Sequence, residues 1–322
     1  MIVRISTLVA LCLAVCGTAF AQTPQPDPKD PLYQHTGEQN RSYLFPGTTE
    51  TIPYHLYVPA KWKPGMHLPL VVVTHGANQP STAPFQRPMT NPTLAKAAED
   101  RGYIVAAVTG YHANATGVGG WNVPYAMIQV PPQPGRGGGR GGRGGEPPAP
   151  PTAEDFQRAE ADVLHVGDLV AREYGADPKR IFLMGNSSGG SAVWTYATRY
   201  PERWAAIAPS AAPLDDAAFP YEKLKAVPVL VIHGDMDTTM VFDASKTMVD
   251  HAKAKGVDAT WLPVALAWST MVLLASNTIV VSMSPWMTST GTVFSFSYGN
   301  ISSSSGAALG AIAVQRSGWR VA

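Results

Sequence analysis

Gly185-Asn186-Ser187-Ser188-Gly189 follows the apolar run Ile181-Phe182-Leu183-Met184 and precedes Ala192-Val193-Trp194-Thr195-Tyr196-Ala197. A buried strand therefore turns sharply into a helix around one serine. Such a turn forces its central residue into a strained backbone conformation, and side chains at the two flanking glycine positions would collide with the neighbouring strand and helix. The hydroxyl is left clear of the sheet at a helix N-terminus, where partial positive charge favours a developing anion. A glycine- and serine-rich loop would account for the glycines, but not for the strand before them and the helix after.

The ends of the chain bound its context. Met1 to Ala21 reads as an export signal: Arg4 supplies the positive start, Ile5 to Val15 the apolar core, and Ala19-Phe20-Ala21 a small-x-small site that predicts cleavage after Ala21. The apolar core is too short to span a bilayer. Leu13-Ala14-Val15-Cys16 faintly matches a lipoprotein processing site, with the bulky Val15 against it. Cys12 and Cys16 are the only cysteines, so the chain after Ala21 has no disulfide, no Cys-ligated metal and no Cys nucleophile. A secreted or periplasmic location is expected. The formal net charge of +1 suggests neither nucleic acid nor an acidic partner. About 300 residues remain after the signal, enough for one large domain with a sizeable core.

Gln22 to Asn40 is polar and Pro-rich and is expected to be a flexible lead-in, with ordered structure starting at Arg41. Ile52, Tyr54, Leu56 and Val58 alternate with Pro53, His55 and Tyr57, the period of a half-buried antiparallel strand. Leu68 to Thr74 and Tyr103 to Val108 are continuous apolar runs, as in strands buried on both faces of a parallel sheet. Asn91 and Pro92 mark the cap and first turn of a helix between them. The segment 131–151, PPQPGRGGGRGGRGGEPPAPP, can bury no apolar area and is expected to be a disordered insertion. Its Arg-Gly-Gly repeats look like RNA-binding tails, but three arginines without interleaved aromatics give little support for nucleic acid. Further on come a helix over Ala153 to Tyr174, strands over Trp204 to Pro209, Val227 to Ile232 and Thr260 to Val264, and a helix over Ala244 to Lys255. Strand and helix alternating in this way predict an α/β fold with a mostly parallel sheet covered by helices on both faces, in one domain over 41–264.

Taken together these segments resemble the α/β-hydrolases, in particular their esterase and polyhydroxybutyrate depolymerase-like (predicted-peptidase) branch. The resemblance rests on Tyr54-His55-Leu56-Tyr57-Val58-Pro59, His75-Gly76, Asp177 through Gly190, Tyr200 through Pro209, and His233-Gly234-Asp235-Met236-Asp237. It implies a serine hydrolase of carboxylic esters, small or polymeric, that needs neither a metal nor an organic cofactor. Ser187 is then the nucleophile. In that fold the loop after the strand ending at Thr74 donates a backbone N–H to the oxyanion, which assigns the hole to the amides of Ala77 and Ser188, with Gly76 allowing close approach. His75 is expected to brace that loop. The triad order Ser, acid, His places the acid at Asp237, in the turn beyond its strand, with Asp235 as the alternative. His233 is expected to be a packing residue. Trp121 and Tyr125 are candidates for the substrate pocket, or equally for core or lid packing.

One member of the triad is missing. His251, the only histidine after Asp237, falls on a surface-type helix, and the region where the family carries its His reads Pro263 to Val272 without one. From Ala259 to Gln315 the chain has no charged residue and no amphipathic period, whereas a C-terminal helix on this sheet should be amphipathic. Ala267-Trp268-Ser269-Thr270-Met271-Val272, read from the third base of the Ala codon, permits Asp-His-Gly. The tail, 265–322, is thus expected to be the product of a frame shift near Val264. Two other expectations remain: a membrane anchor over 262–283, or a divergent tail on a noncatalytic binding protein.

Overall fold

In the computed structural model the described residues are 23–77, 79–86, 94–110, 121, 123–131 and 152–264. Beyond them it describes only the backbones of four strands in the tail. The strands of the main sheet are β1 (Gly37–Leu44), β2 (Thr51–Val58), β3 (Leu70–Thr74), β4 (Ile104–Val108), β5 (Ile181–Asn186), β6 (Ala206–Ser210), β7 (Val229–Gly234) and β8 (Ala259–Val264), in the order β1-β2-β4-β3-β5-β6-β7-β8. β1, β2 and β4 pair antiparallel, and every pair from β4 to β8 is parallel. The predicted α/β class and mostly parallel sheet are observed.

Side chains alternate across the pleat, so each central strand feeds two cores. Leu70 and Val72 of β3 join Leu183, Ile207 and Val231 beneath α3 (Ala153–Tyr174), α4 (Ser188–Arg199) and α5 (Phe242–Ala254). Val71 and Val73 point the other way, with Val105, Met184, Ala208 and Ile232, toward α1 (Ala83–Gln86) and α2 (Leu94–Arg101). Helix α3 occupies the predicted span. A capping box starts it, Thr152 Oγ1 accepting from Asp155 N while the Asp155 carboxylate accepts from Thr152 N, and Gly175 ends it at φ 62°. The cap assigned to Asn91 and Pro92 and, of the insertion 131–151, all but Pro131 lie outside the described residues.

Two expectations are corrected. The lead-in is tied down rather than free: β1 already begins at Gly37, Arg41 pairs with Asp30 and with the buried Glu173 of α3, both at 2.8 Å, and Gln34 bonds Glu173 at its carboxylate and its carbonyl. No local signal announces this, because the anchor lies more than 130 residues away. The second concerns 262–283. Instead of a spanning helix its described residues are the end of β8 and an antiparallel pair, β9 (Thr270–Ala275) with β10 (Thr278–Met283), as Thr, Val and Ile favour strands. Among the described residues no helix is long and apolar enough to cross a membrane. A second pair, β11 (Val293–Ser297) with β12 (Ala313–Ser317), follows. The backbone of β9 comes up against β5, β6, β7 and α2.

Candidate active site

Ser187 stands between β5 and α4 with φ 55° and ψ −124°, a conformation L residues rarely adopt. Its N–H donates to Ser210 O at 2.9 Å, which hooks the turn to the end of β6. The surrounding glycines are required sterically. A Cβ on Gly185 would lie 2.0 Å from Thr74 Oγ1 and 2.7 Å from the Gly189 carbonyl; one on Gly189 would lie 2.4 Å from both the Thr74 and His75 carbonyl oxygens; one on Gly190 would lie 2.6 Å from Ala212 Cβ. Thr74 pins the turn from below, its hydroxyl donating to Gly189 O at 2.9 Å. The Ser187 hydroxyl makes no hydrogen bond to a described residue and faces no imidazole among them.

The loop after β3 lies beside this turn, since Thr74 and Gly185 are paired neighbours. Ser188 opens α4, so its N–H is one of the helix's unbonded amides, while Ala77 is exposed at the rim of the loop. His75 is buried beneath it, with Nδ1 2.7 Å from Gly76 O and Nε2 2.7 Å from Thr109 O. Trp121 is buried rather than open to a pocket. Its indole N–H donates to His75 O at 2.9 Å and its ring packs on the imidazole at 4.9 Å, which makes it a support for the loop. Tyr125 is half-buried and stacks on Phe219 at 5.1 Å.

Asp237 follows β7. Its Oδ1 accepts from the amides of Thr239 and Met240 at 2.8 and 2.9 Å, and its side chain is only 7 % exposed. Asp235 is exposed. His233 is fully buried, donating or accepting at Ser245 Oγ through Nδ1, with Nε2 3.4 Å from Asp237 Oδ2. His251 is exposed on α5 and meets Asp216 at 2.7 Å, so it does not serve Ser187. Ser187 and Asp237 thus leave the C-terminal ends of β5 and β7 with β6 between them. Two strand spacings, roughly 10 Å, separate such positions. Val264, the last residue of β8, is paired with Gly234 just before the Asp237 turn. Residues 265–269, which follow it, lie outside the described residues.

The sheet of this chain is ordered 1-2-4-3-5-6-7-8, with a strained serine turn after its fifth strand. No family model and no curated protein matches the chain. A ferulic acid esterase from Anaeromyces mucronatus, solved with ferulic acid, superposes with a TM-score of 0.50 at 14% identity, over 76% of this chain and 90% of that one. The fold is that of the α/β-hydrolases. A fluorophosphonate-binding serine hydrolase of Staphylococcus aureus gives 0.47 at 13% identity over 73% and 93% of the two chains. A thermostable esterase gives 0.45 at 20% over 71% of this chain, which spans about half (54%) of that protein's length. In α/β-hydrolase terms, the sequence missed the residues that hold the site from behind. Thr74, Thr109 and Asp162 bear no motif. Asp162 alone left a trace, an acidic residue inside the buried stripe Ala159, Val163, Val166, Val170 of α3.

Proposed function

We propose that this chain descends from an exported serine hydrolase of carboxylic esters, small or polymeric, of the esterase and depolymerase-like branch. The observation that carries the reading is the Ser187 turn, strained at φ 55° and walled by three glycines with no room for a Cβ. A protein that needed only the sheet would have no use for that strain. In the reaction the Ser187 oxygen attacks the ester carbonyl and its proton passes to an imidazole. The amides of Ser188 and Ala77 hold the oxyanion, one such donor being worth roughly 3–4 kcal/mol in the transition state. The alkoxide leaves with that proton, and water then releases the acid from the acyl-serine. Asp237 orients the imidazole, its own carboxylate held by the Thr239 and Met240 amides.

The imidazole is the member that the chain as written lacks, and a frame shift near Val264 accounts for its loss together with the uncharged tail. The geometry favours a position just past β8, where the permitted Asp-His-Gly would fall. A second reading, an exported binding protein that keeps the fold without turnover, draws on the same gap beside Ser187. Hydrolysis of a short-chain nitrophenyl ester by this chain and by Ser187→Ala is the test. Equal rates are expected of the chain as written, since an unassisted serine hydroxyl is a weak nucleophile. Resequencing the gene across the codons for Gly256 to Val272 decides the cause: a confirmed sequence with no insertion or deletion relative to an open Asp-His-Gly frame rejects the frame shift and leaves the binding protein.

A further inference from the structure

Both ring nitrogens of the buried His75 face carbonyl oxygens at 2.7 Å, Gly76 O at Nδ1 and Thr109 O at Nε2. A carbonyl oxygen only accepts. A neutral imidazole would aim one bare lone pair at another at hydrogen-bond distance, whereas an imidazolium donates to both. Each of these oxygens belongs to a planar trans peptide, in which the C=O and the N–H point in opposite directions. The far end of the Thr109–Gly110 peptide is the Gly110 N–H, which donates to Asp162 Oδ2 at 2.9 Å. The far end of the Gly76–Ala77 peptide is the Ala77 N–H, the oxyanion donor of the function proposed above.

We propose that His75 is a buried imidazolium with two peptide arms, one ending on the Asp162 carboxylate and the other on the oxyanion site, so that Asp162 and His75 aim and polarise the Ala77 N–H. Fixing Gly76 O fixes the plane of its peptide and with it the direction of the Ala77 amide. A peptide that accepts at oxygen donates more strongly at nitrogen, so the positive ring sharpens both terminal N–H groups. One arm carries a resident anion. The other is open to the anion that forms during acyl transfer. The Trp121 ring packs on the imidazole at 4.9 Å, and beyond the Gly110 N–H stands Asp162 of α3, which also accepts from Tyr43 of β1 at 2.5 Å. Burial pushes the Asp162 carboxyl up to about 7 against the pull of its bonds to Tyr43 and Gly110, so the test is run above that value. Asp162 and His75 are positioning residues. The inference rests on the oxyanion assignment, but its test does not need turnover.

The full chain labelled with nitrogen-15 histidine is examined by NMR at pH 8, where a solvated imidazole is neutral. His75, assigned by the signals lost in His75→Gln, is expected to show two protonated ring nitrogens. Asp162→Asn, which removes the resident anion but keeps hydrogen-bonding capacity, is expected to cost His75 one of its two ring protons at that pH. One protonated and one bare nitrogen on His75 in the unaltered chain overturns the imidazolium. An unchanged pair in Asp162→Asn overturns the carboxylate arm. Should either variant fail to fold, the unaltered chain still decides: if no histidine holds both protons at pH 8, the proposal is wrong. Failure of ester hydrolysis through Ser187 leaves these signals untouched, which separates the two readings.

Discussion

Ser187 holds a backbone conformation that costs of order 1–3 kcal/mol for a residue with a side chain, and its neighbours leave no room for relief. Replacing it with glycine removes that strain at the expense of a looser unfolded chain. Ser187→Gly is expected to raise stability to denaturant by about 1 kcal/mol while ending any nucleophilic chemistry. Gly189→Ala should do the reverse, losing roughly 1–3 kcal/mol, because its Cβ would meet two backbone carbonyls at 2.4 Å. Unchanged denaturation midpoints in both variants would mean that the turn is not strained in this way. Asp162 makes a different demand. Its folded pKa, about 7, is raised from 3.8 by burial, so between those values the folded state binds more protons than the unfolded one. Its contribution is fully present below pH 3.8 and is lost as pH rises through 7, by up to about 4 kcal/mol. Asp162→Asn should flatten stability against pH across that window; an unchanged slope would mean that another group carries it.

At the scale of elements, the central strands were legible because burial on both faces leaves continuous runs such as Leu70 to Thr74 and Ile104 to Val108. Helix α3 was legible end to end, its stripe being long and its C-terminus marked by Gly175. β1 was not, since GEQNRSYL has no apolar period strong enough to name a strand. Besides its ladder to β2, it is tied by the pairing of Arg41 with Glu173, both nearly without exposure, and no local reading of the sequence contains that. Removing one partner of a buried pair strands the other charge. Arg41→Leu should therefore cost about 3–5 kcal/mol, and adding Glu173→Leu should recover most of it, as read by urea unfolding. If Arg41→Leu is neutral, the lead-in is not held in this way. In the site, the motif residues Ser187, Gly189 and Asp237 were visible, while Thr74, Thr109 and Asp162 were hidden because their work consists of contacts between distant segments.

Across the whole molecule, the sheet brings Ser187, the loop at Ala77 and the turn at Asp237 to the same end of its parallel strands, and β8 ends beside β7, the strand that carries Asp237. After Val264 the pattern of the chain changes, and the backbone of β9 lies against β5, β6, β7 and α2. The most direct measurement is ester hydrolysis by the chain with one base inserted between the codons for Val264 and Ala267, so that the Asp-His-Gly frame opens, set against the same protein carrying Ser187→Ala. Because the three triad members act as one device, restoring the imidazole should raise turnover by several orders of magnitude, roughly 10³–10⁴ or more over the serine-less control. Equal rates in the two would contradict the account and show that the Ser187 turn, however strained, is not a nucleophile.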